Sequence, residues 1–325
     1  MSLNHGINTY KSDTAFGAIK EAAVGIPFFV GCWPCHTAGG YTGKPQIAYS
    51  FTEAKKLGGY TSEWRDASGD PTWNLCQAMY SHFKLFGMAP AVFYNLFNPA
   101  THKTTVAAAS VAVTDHIAKL PFDAIDSAAL VVKTTASPAQ TLAKGTDYEV
   151  LYDDINCIIE LKSTSTYYDE ASLSIGYDKA NPAAITASDI EAAIEKIEDC
   201  KGALGIVPDL ICCPGWSQTP SVAAVMAAKA GSINGLFRGK AVVDLDTSAS
   251  GADEYTDVFT YKNANGYTDE DMIVCWPLLE VGDYLFDASV IVGFHGDNFK
   301  KVDKTHGKGN SGPEKSGVEN CQNPA

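Results

Sequence analysis

Residues 186–245, TASDIEAAIEKIEDCKGALGIVPDLICCPGWSQTPSVAAVMAAKAGSINGLFRGKAVVDL, decide the fold. Ser188 and Glu191 have capping-box spacing, and Ile190, Ala193, Ile194 and Ile197 behind them recur on one helical face. LICC (210–213) is a short apolar run of strand type. Thr219 and Pro220 then form an N-cap and N1 pair ahead of the Ala-rich helix SVAAVMAAKA, which leads into a second strand, AVVDL (241–245). A further strand, MIVCW, follows at 272–276. Helix, strand, helix, strand is the order that builds a parallel sheet with crossover helices.

Upstream, IPFFVG (26–31) reads as a buried strand closed by glycine, and HTAGGYTGKP (36–45) as a loop by its Gly and Pro content. Ser50 and Glu53 have capping-box spacing before a short helix that Gly58 and Gly59 stop. Over 72–86, Trp73, Cys76, Met79, Tyr80, Phe83 and Phe86 give one apolar helical face, with Gly87 as the C-cap. AVFYNLF (91–97) reads as a fully buried strand. Between about 100 and 182 the pattern changes to short strands, ALVVK, YEVLY, CIIELK and SLSIGY, with a hairpin reversal at Asp153 and Asp154. The expected fold class is therefore α/β: a parallel or mixed sheet core with crossover helices, made of 20–99 and 183–294, interrupted by an inserted, protruding β-rich domain at 100–182. Residues 1–20 are polar and Gly-spaced, with weak alternation at Ile7 and Tyr10, and read as an extended arm; 295–325 read as a polar tail.

Hydrophobic residues make up 46% of the 325 and charged residues 19%, which places the chain among globular proteins with a sizeable core. A formal net charge of −14 would repel phosphate backbones, so nucleic acid is not an expected partner. No apolar run approaches the roughly 18 to 20 residues that span a bilayer, and MSLNHGINTYKS lacks the order of a signal peptide. A soluble protein made in the cytoplasm, without a membrane partner, is expected. The nine cysteines are odd in number and lack the compact framework of secreted domains; several lie in apolar runs, where a reduced thiol acts as a small hydrophobe.

Cys32-Trp-Pro-Cys35 followed by His36 has the spacing of a thiol-redox motif. That chemistry needs a helix start to lower the thiol pKa, and HTAGGYTGKP cannot form a helix. Zinc would need a further ligand, and no second CxxC or HxxxH stands at a usual spacing. Neither a Cys32–Cys35 disulfide nor a metal is expected. Adjacent Cys212 and Cys213 point to opposite faces of a strand. Asp244 and Asp246 lie at a strand end, the edge where α/β enzymes gather ligands, but no GxGxxG or Walker-type loop accompanies them. His82 lies inside a helix and reads as a packing or surface residue. No catalytic, cofactor or metal residue is expected from these motifs.

Several stretches together resemble the contractile tail sheath proteins of phages and prophages, in the form common in Gram-positive bacteria. They are His5-Gly6-Ile7, AVGIPFFVG, KPQIAYSFTEAKKLGGY, LCQAMYSHFKLFGMAPAVFYNLFNPATHK, TDYEVLYDD, the run VPDLICCPGWSQTPSVAAVMAAKAGSINGLFRGKAVVDLDT, and YKNANGYTDEDMIVCWP, covering most of residues 5–280 in family order. The resemblance implies a subunit that polymerises in helical rings around a tail tube and shortens by rigid-body rearrangement when a baseplate triggers it. It implies other sheath subunits, the tail tube protein, and baseplate and tail terminator proteins as partners. It also implies terminal arms that add strands to neighbouring subunits, which would make Gly6, Ile7 and Tyr10 interface residues. The implied location is the virion tail, or a phage-tail-like particle, assembled in the host bacterial cytoplasm, with no cofactor.

The chain departs from the family pattern twice. Members usually carry Ala or Thr and Val around the loop after the first strand, where Cys32, Trp33 and Cys35 stand here. Members usually continue past about residue 300 through a tube-facing α/β domain and a C-terminal arm, whereas this sequence stops in GNSGPEKSGVENCQNPA, as a truncated chain or a shortened variant would. Two other classes stand beside the structural one: a CxxC thiol-redox enzyme, and a carbohydrate or host-surface binding module acting through the inserted β domain.

Overall fold

A computed structural model of the chain describes residues 25–292. The expected arm, with Gly6, Ile7 and Tyr10, and the polar tail from 295 lie outside the described residues.

The core begins with β1 (Pro27–Gly31), every residue of which is buried, and β2 (Gln46–Ala48). Helix α1 (Phe51–Gly58) is opened by Ser50, whose hydroxyl accepts the Glu53 N–H at 3.2 Å, while the Glu53 carboxylate accepts the Tyr49 N–H at 2.9 Å. Gly59 closes it at φ 73°, where a side chain would be strained. Helix α2 (Asn74–Met79) continues as a π-helical segment, Tyr80–Leu85, before β3 (Ala91–Asn95).

The π winding corrects the expectation of one regular helix over 72–86. Phe86 N–H bonds to the Ser81 carbonyl, five residues back, and the wider turn brings Ser81 and His82 into the interior while Phe83 and Phe86 are only half-buried. His82 meets the ring of Phe29 edge-on at 6.0 Å, so it is a packing residue.

Seven strands then build the insertion: β4 (Lys103–Thr114), β5 (Ile117–Pro121), β6 (Ala124–Ile125), β7 (Val131–Thr134), β8 (Tyr148–Tyr152), β9 (Asn156–Leu161) and β10 (Ser172–Ala180). They pair antiparallel in the order β6-β10-β4-β5-β9-β8, with β7 also on β10. A separate apolar cluster, including Leu120, Val132, Ile159, Leu161, Leu173 and Ile175, holds this sheet. The β8–β9 hairpin turns where Asp153 Oδ1 accepts the N–H groups of Ile155 and Asn156, the Asx arrangement that makes aspartate a turn residue. Entry and exit adjoin: Lys103 pairs with Ala180, and Asn181 N–H donates to the His102 carbonyl at 3.0 Å.

The chain returns through α3 (Ala187–Ile194) and α4 (Asp199–Leu204) to β11 (Leu210–Cys212), α5 (Pro220–Gly231), β12 (Lys240–Asp244), α6 (Tyr255–Ala264) and β13 (Met272–Cys275). Thr186, not Ser188, caps α3: its N–H and hydroxyl both donate to Asp189, at 2.8 and 2.7 Å. Two overlapping capping patterns compete here, and the earlier one lets the helix begin at Ala187. The hairpin of β14 (Leu279–Val281) and β15 (Tyr284–Phe286) and the short α7 (Ala288–Val292) end the described chain.

The six core strands stand in the order β13-β12-β11-β1-β3-β2, all parallel except β2. Helices α3 and α5 pack on one face; α2, the π segment and α7 pack on the other. The fold is therefore α/β, a mixed sheet with crossover helices interrupted by a β-rich insertion. The chain leaves β1 toward β3 and later returns to the opposite side of β1 at β11, so a topological switch point lies there, outside whose carboxyl ends α/β proteins bind ligands.

Candidate functional site

At that carboxyl edge the protein's own polar side chains fill the crevice. Asn74, the first residue of α2, accepts the Cys32 N–H through Oδ1 at 2.6 Å and donates from Nδ2 to the Pro214 carbonyl at 2.7 Å, bridging the loops after β1 and β11. Gly31 must be glycine for this approach, since a Cβ there would lie 2.4 Å from Asn74 Oδ1. Asn95, ending β3, accepts the N–H groups of Trp33 at 3.1 Å and Phe97 at 3.0 Å and donates to the Phe97 carbonyl. Both asparagines are buried, so each satisfies loop groups that water cannot reach.

At the end of β12, Asp244 is buried against Ser217 and α7. Its Oδ1 accepts the Ser289 N–H at 2.7 Å, its Oδ2 accepts the Ser217 hydroxyl at 3.2 Å, and its own N–H donates back to Ser217 Oγ at 2.9 Å. Burial, and then the charge of nearby Asp287, push the Asp244 carboxyl up to about 7. Asp287 is itself held by Arg65 at 2.9 Å and by the Gln77 amide, while its N–H donates to Gln77 Oε1. A serine beside a carboxyl that titrates near neutrality has the parts of a nucleophile and base. Here both are fully enclosed and the hydroxyl is already bonded to backbone, so the pair can hold a proton but cannot present it to a substrate. Asp246 does not join it; it accepts the Ser248 N–H and shapes the next turn.

The CxxC region is equally enclosed. Cys32, Trp33 and Cys35 are buried, Cys35 Sγ donates to the Phe97 carbonyl at 3.3 Å, and burial pushes the Cys35 thiol up to about 12 and that of Cys32 higher still. Contrary to the expectation of a pure loop, Cys35–Thr37 form one turn of 3-10 helix, too short to supply the aligned dipoles that lower a thiol pKa. Among the described residues no two cysteines form a disulfide, and each cysteine is buried. Among the described residues no group of three or more His, Cys, Asp or Glu is placed to hold a metal ion, and no helix is long and apolar enough to cross a membrane.

His36 has a different role from a ligand. Its ring lies 5.7 Å from those of Trp73 and Phe97 in the core and of Phe122 and Tyr152 in the insertion. Burial lowers its pKa to about 4. A second junction forms where Thr61 Oγ1 donates to the Asp154 carbonyl at 2.6 Å and Ser62 N–H to the Asp154 carboxylate at 2.9 Å.

Sequence reasoning reached Asp244 but not Asn74, Asn95, Ser217 or Asp287. The legible signal was a polar residue breaking an apolar segment at a strand or helix end, which AVFYN at 91–95 and TWNL at 72–75 both show. No family model matches the chain, and no curated protein matches it.

Proposed function

We propose that this protein is a structural subunit of a contractile tail sheath, whose work is assembly around a tail tube and contraction that drives the tube through a bacterial envelope. The observation that carries the structural over the enzymatic reading is the closure of the carboxyl edge: Asn74, Asn95 and Asp244 spend their hydrogen bonds on the protein's own loops at the position where an α/β enzyme would hold its substrate. The buried, high-pKa thiols of Cys32 and Cys35 argue in the same direction against redox exchange. The family resemblance supplies the particular class, with other sheath subunits, the tube, and baseplate and terminator proteins as partners and the virion tail or a tail-like particle as location.

The test is negative-stain microscopy of the concentrated protein, alone and with a contractile-tail tube protein. Rings, tubes or decorated tube cores support the reading. Bare tubes and dispersed particles that catalyse dithiol exchange would overturn it in favour of the redox enzyme, and glycan-array binding through the insertion would favour the binding module.

A further inference from the structure

Two exposed surfaces at opposite edges of the core sheet are complementary in charge and in apolar character. On the β2 side, α1 and the π segment bound a surface groove of about 660 Å³ walled by Lys55, Lys56 and Lys84. Phe51 forms its aromatic floor: Lys84 Nζ lies 4.9 Å and Lys55 Nζ 5.8 Å from the ring centroid. None of the three lysines makes an ion pair among the described residues, in a chain whose net charge is −14.

On the β13 side, α6 has no buried residue, which is unusual for a crossover helix. Val258 and Tyr261 rest partly on the core, while Tyr255 and Phe259, one turn apart, are 80% and 76% exposed. Asp253 and Glu254, immediately before Tyr255, are exposed and place negative charge at this end of the aromatic pair, whereas Asp257, two residues from each ring, lies on another side of the helix. Large aromatic side chains left in water beside carboxylates match a groove with an aromatic floor and ammonium walls.

We propose that the α6 face of one copy seats in the lysine groove of a second copy, joining the β13 edge of one sheet to the β2 edge of the next. Tyr255 and Phe259 would cover Phe51, and Asp253 and Glu254 would meet Lys55 and Lys84. Because the two patches differ and lie at opposite edges, the contact is heterologous: it closes no dimer and leaves a free patch at each end for further copies. The inference deepens the sheath reading and rests on it for the requirement that copies polymerise.

The experiment is sedimentation velocity of the full chain over a concentration series, with two charge-reversed proteins, Lys55→Glu/Lys84→Glu and Asp253→Lys/Glu254→Lys. All four positions are exposed, and unchanged thermal unfolding of each variant verifies the fold. The wild type is expected to associate with rising concentration and to weaken in high salt. Each variant alone is expected to need about tenfold more protein or beyond to associate, because like charges then face each other. Mixing the two variants is expected to restore association, since the mixture contains one native pair of patches and one swapped pair. Phe259→Ser, which leaves the charges alone, is expected to weaken association as well. Association of wild type and variants at the same concentration would overturn the inference and leave the sheath reading standing. A wild type that stays monomeric would also overturn it, with tube decoration deciding the sheath reading separately. Lysine variants that lose tube decoration but keep self-association would assign the groove to another partner and overturn it too.

Discussion

His36 Nε2 and the carbonyl oxygen of Phe122 lie 3.1 Å apart, joining the α/β core to the inserted β sheet by a hydrogen bond inside a cage of aromatic rings. The residue that completes an apparent CxxCH motif is thus a pin between two sheets. Its environment is apolar on both sides, so the neutral imidazole is the form the fold accepts.

That preference makes stability depend on pH with a definite sign. His36 is lowered from 6.5 to about 4, so the unfolded chain takes up the proton first as pH falls. The contribution is fully present above pH 6.5, is lost progressively between 6.5 and about 4, and is constant below that. The difference amounts to roughly 3 kcal/mol. His36→Gln keeps a donor for the Phe122 carbonyl without the titration. Urea unfolding at pH 7.5 and 4.5 is expected to show a smaller drop for the variant than for the wild type; equal drops would remove His36 as the cause.

Asp244 carries the opposite sign. Its folded pKa is raised from 3.8 to about 7, so its contribution is fully present below pH 3.8 and is lost as pH rises through 7. Asp244→Asn imitates the protonated form and keeps an acceptor for the Ser289 N–H. The variant is expected to exceed the wild type in stability at pH 8 by on the order of 4 kcal/mol and to match it more nearly at pH 4. Urea midpoints measured across that range decide it; a variant weaker at pH 8 would show that the ionised carboxylate is needed.

Trp33 owes its place to the absence of a side chain at Gly58. A Cβ on Gly58 would stand 1.9 Å from Trp33 Cδ2, in a region where Trp33 is fully buried. Gly58→Ala is expected to cost about 3 kcal/mol, at the upper end of overpacking effects. Adding Trp33→Leu, which makes room, is expected to cost less than the sum of the two single changes, a coupling that contacts of this kind produce. Thermal unfolding of the four proteins checks this, and strict additivity would contradict it.

Those same residues show what was legible from sequence. Strands β1, β11 and β12 announced themselves because a strand buried on both faces is a plain apolar run, and α1 and α5 because caps, Pro and Gly act locally. The π winding did not, since the Val290 carbonyl that its Ser81 hydroxyl meets stands 209 residues further on. Ser188 with Glu191 drew the sequence reading, whereas Thr186 with Asp189 two residues earlier caps the helix. At the carboxyl edge the polar residues were visible but their partners were not: Asn74 answers Pro214, and Gln77 answers Asp287, across loops no periodicity connects. His36 was read with the cysteines beside it, whereas its surroundings come from the insertion.

The insertion should be separable from the core, with a consequence that can be read at one residue. Its first and last strands are paired to each other at Lys103 and Ala180, and His102 and Asn181 are hydrogen-bonded, so a short Gly-Ser-Gly bridge can replace 103–180 without moving the core ends. The excised sheet has its own apolar cluster around Leu120, Ile159 and Leu173 and is expected to unfold cooperatively as an isolated fragment spanning 102–181. The shortened core is expected to stay folded but less stable, because Ile125 and Ala180 leave its cluster and the bonds from Thr61 and Ser62 to Asp154 are lost. Removing Phe122 and Tyr152 also opens one side of the aromatic cage, so water reaches His36. Its pKa, read by NMR titration of the imidazole, should therefore rise from about 4 toward 6.5, and the emission of Trp73, which stands 5.7 Å from His36 on the core side, should shift to the red. A shortened core in which His36 still titrates near 4 would show that the core alone buries the imidazole, and a shortened core that fails to fold would show that the two sheets form one cooperative unit.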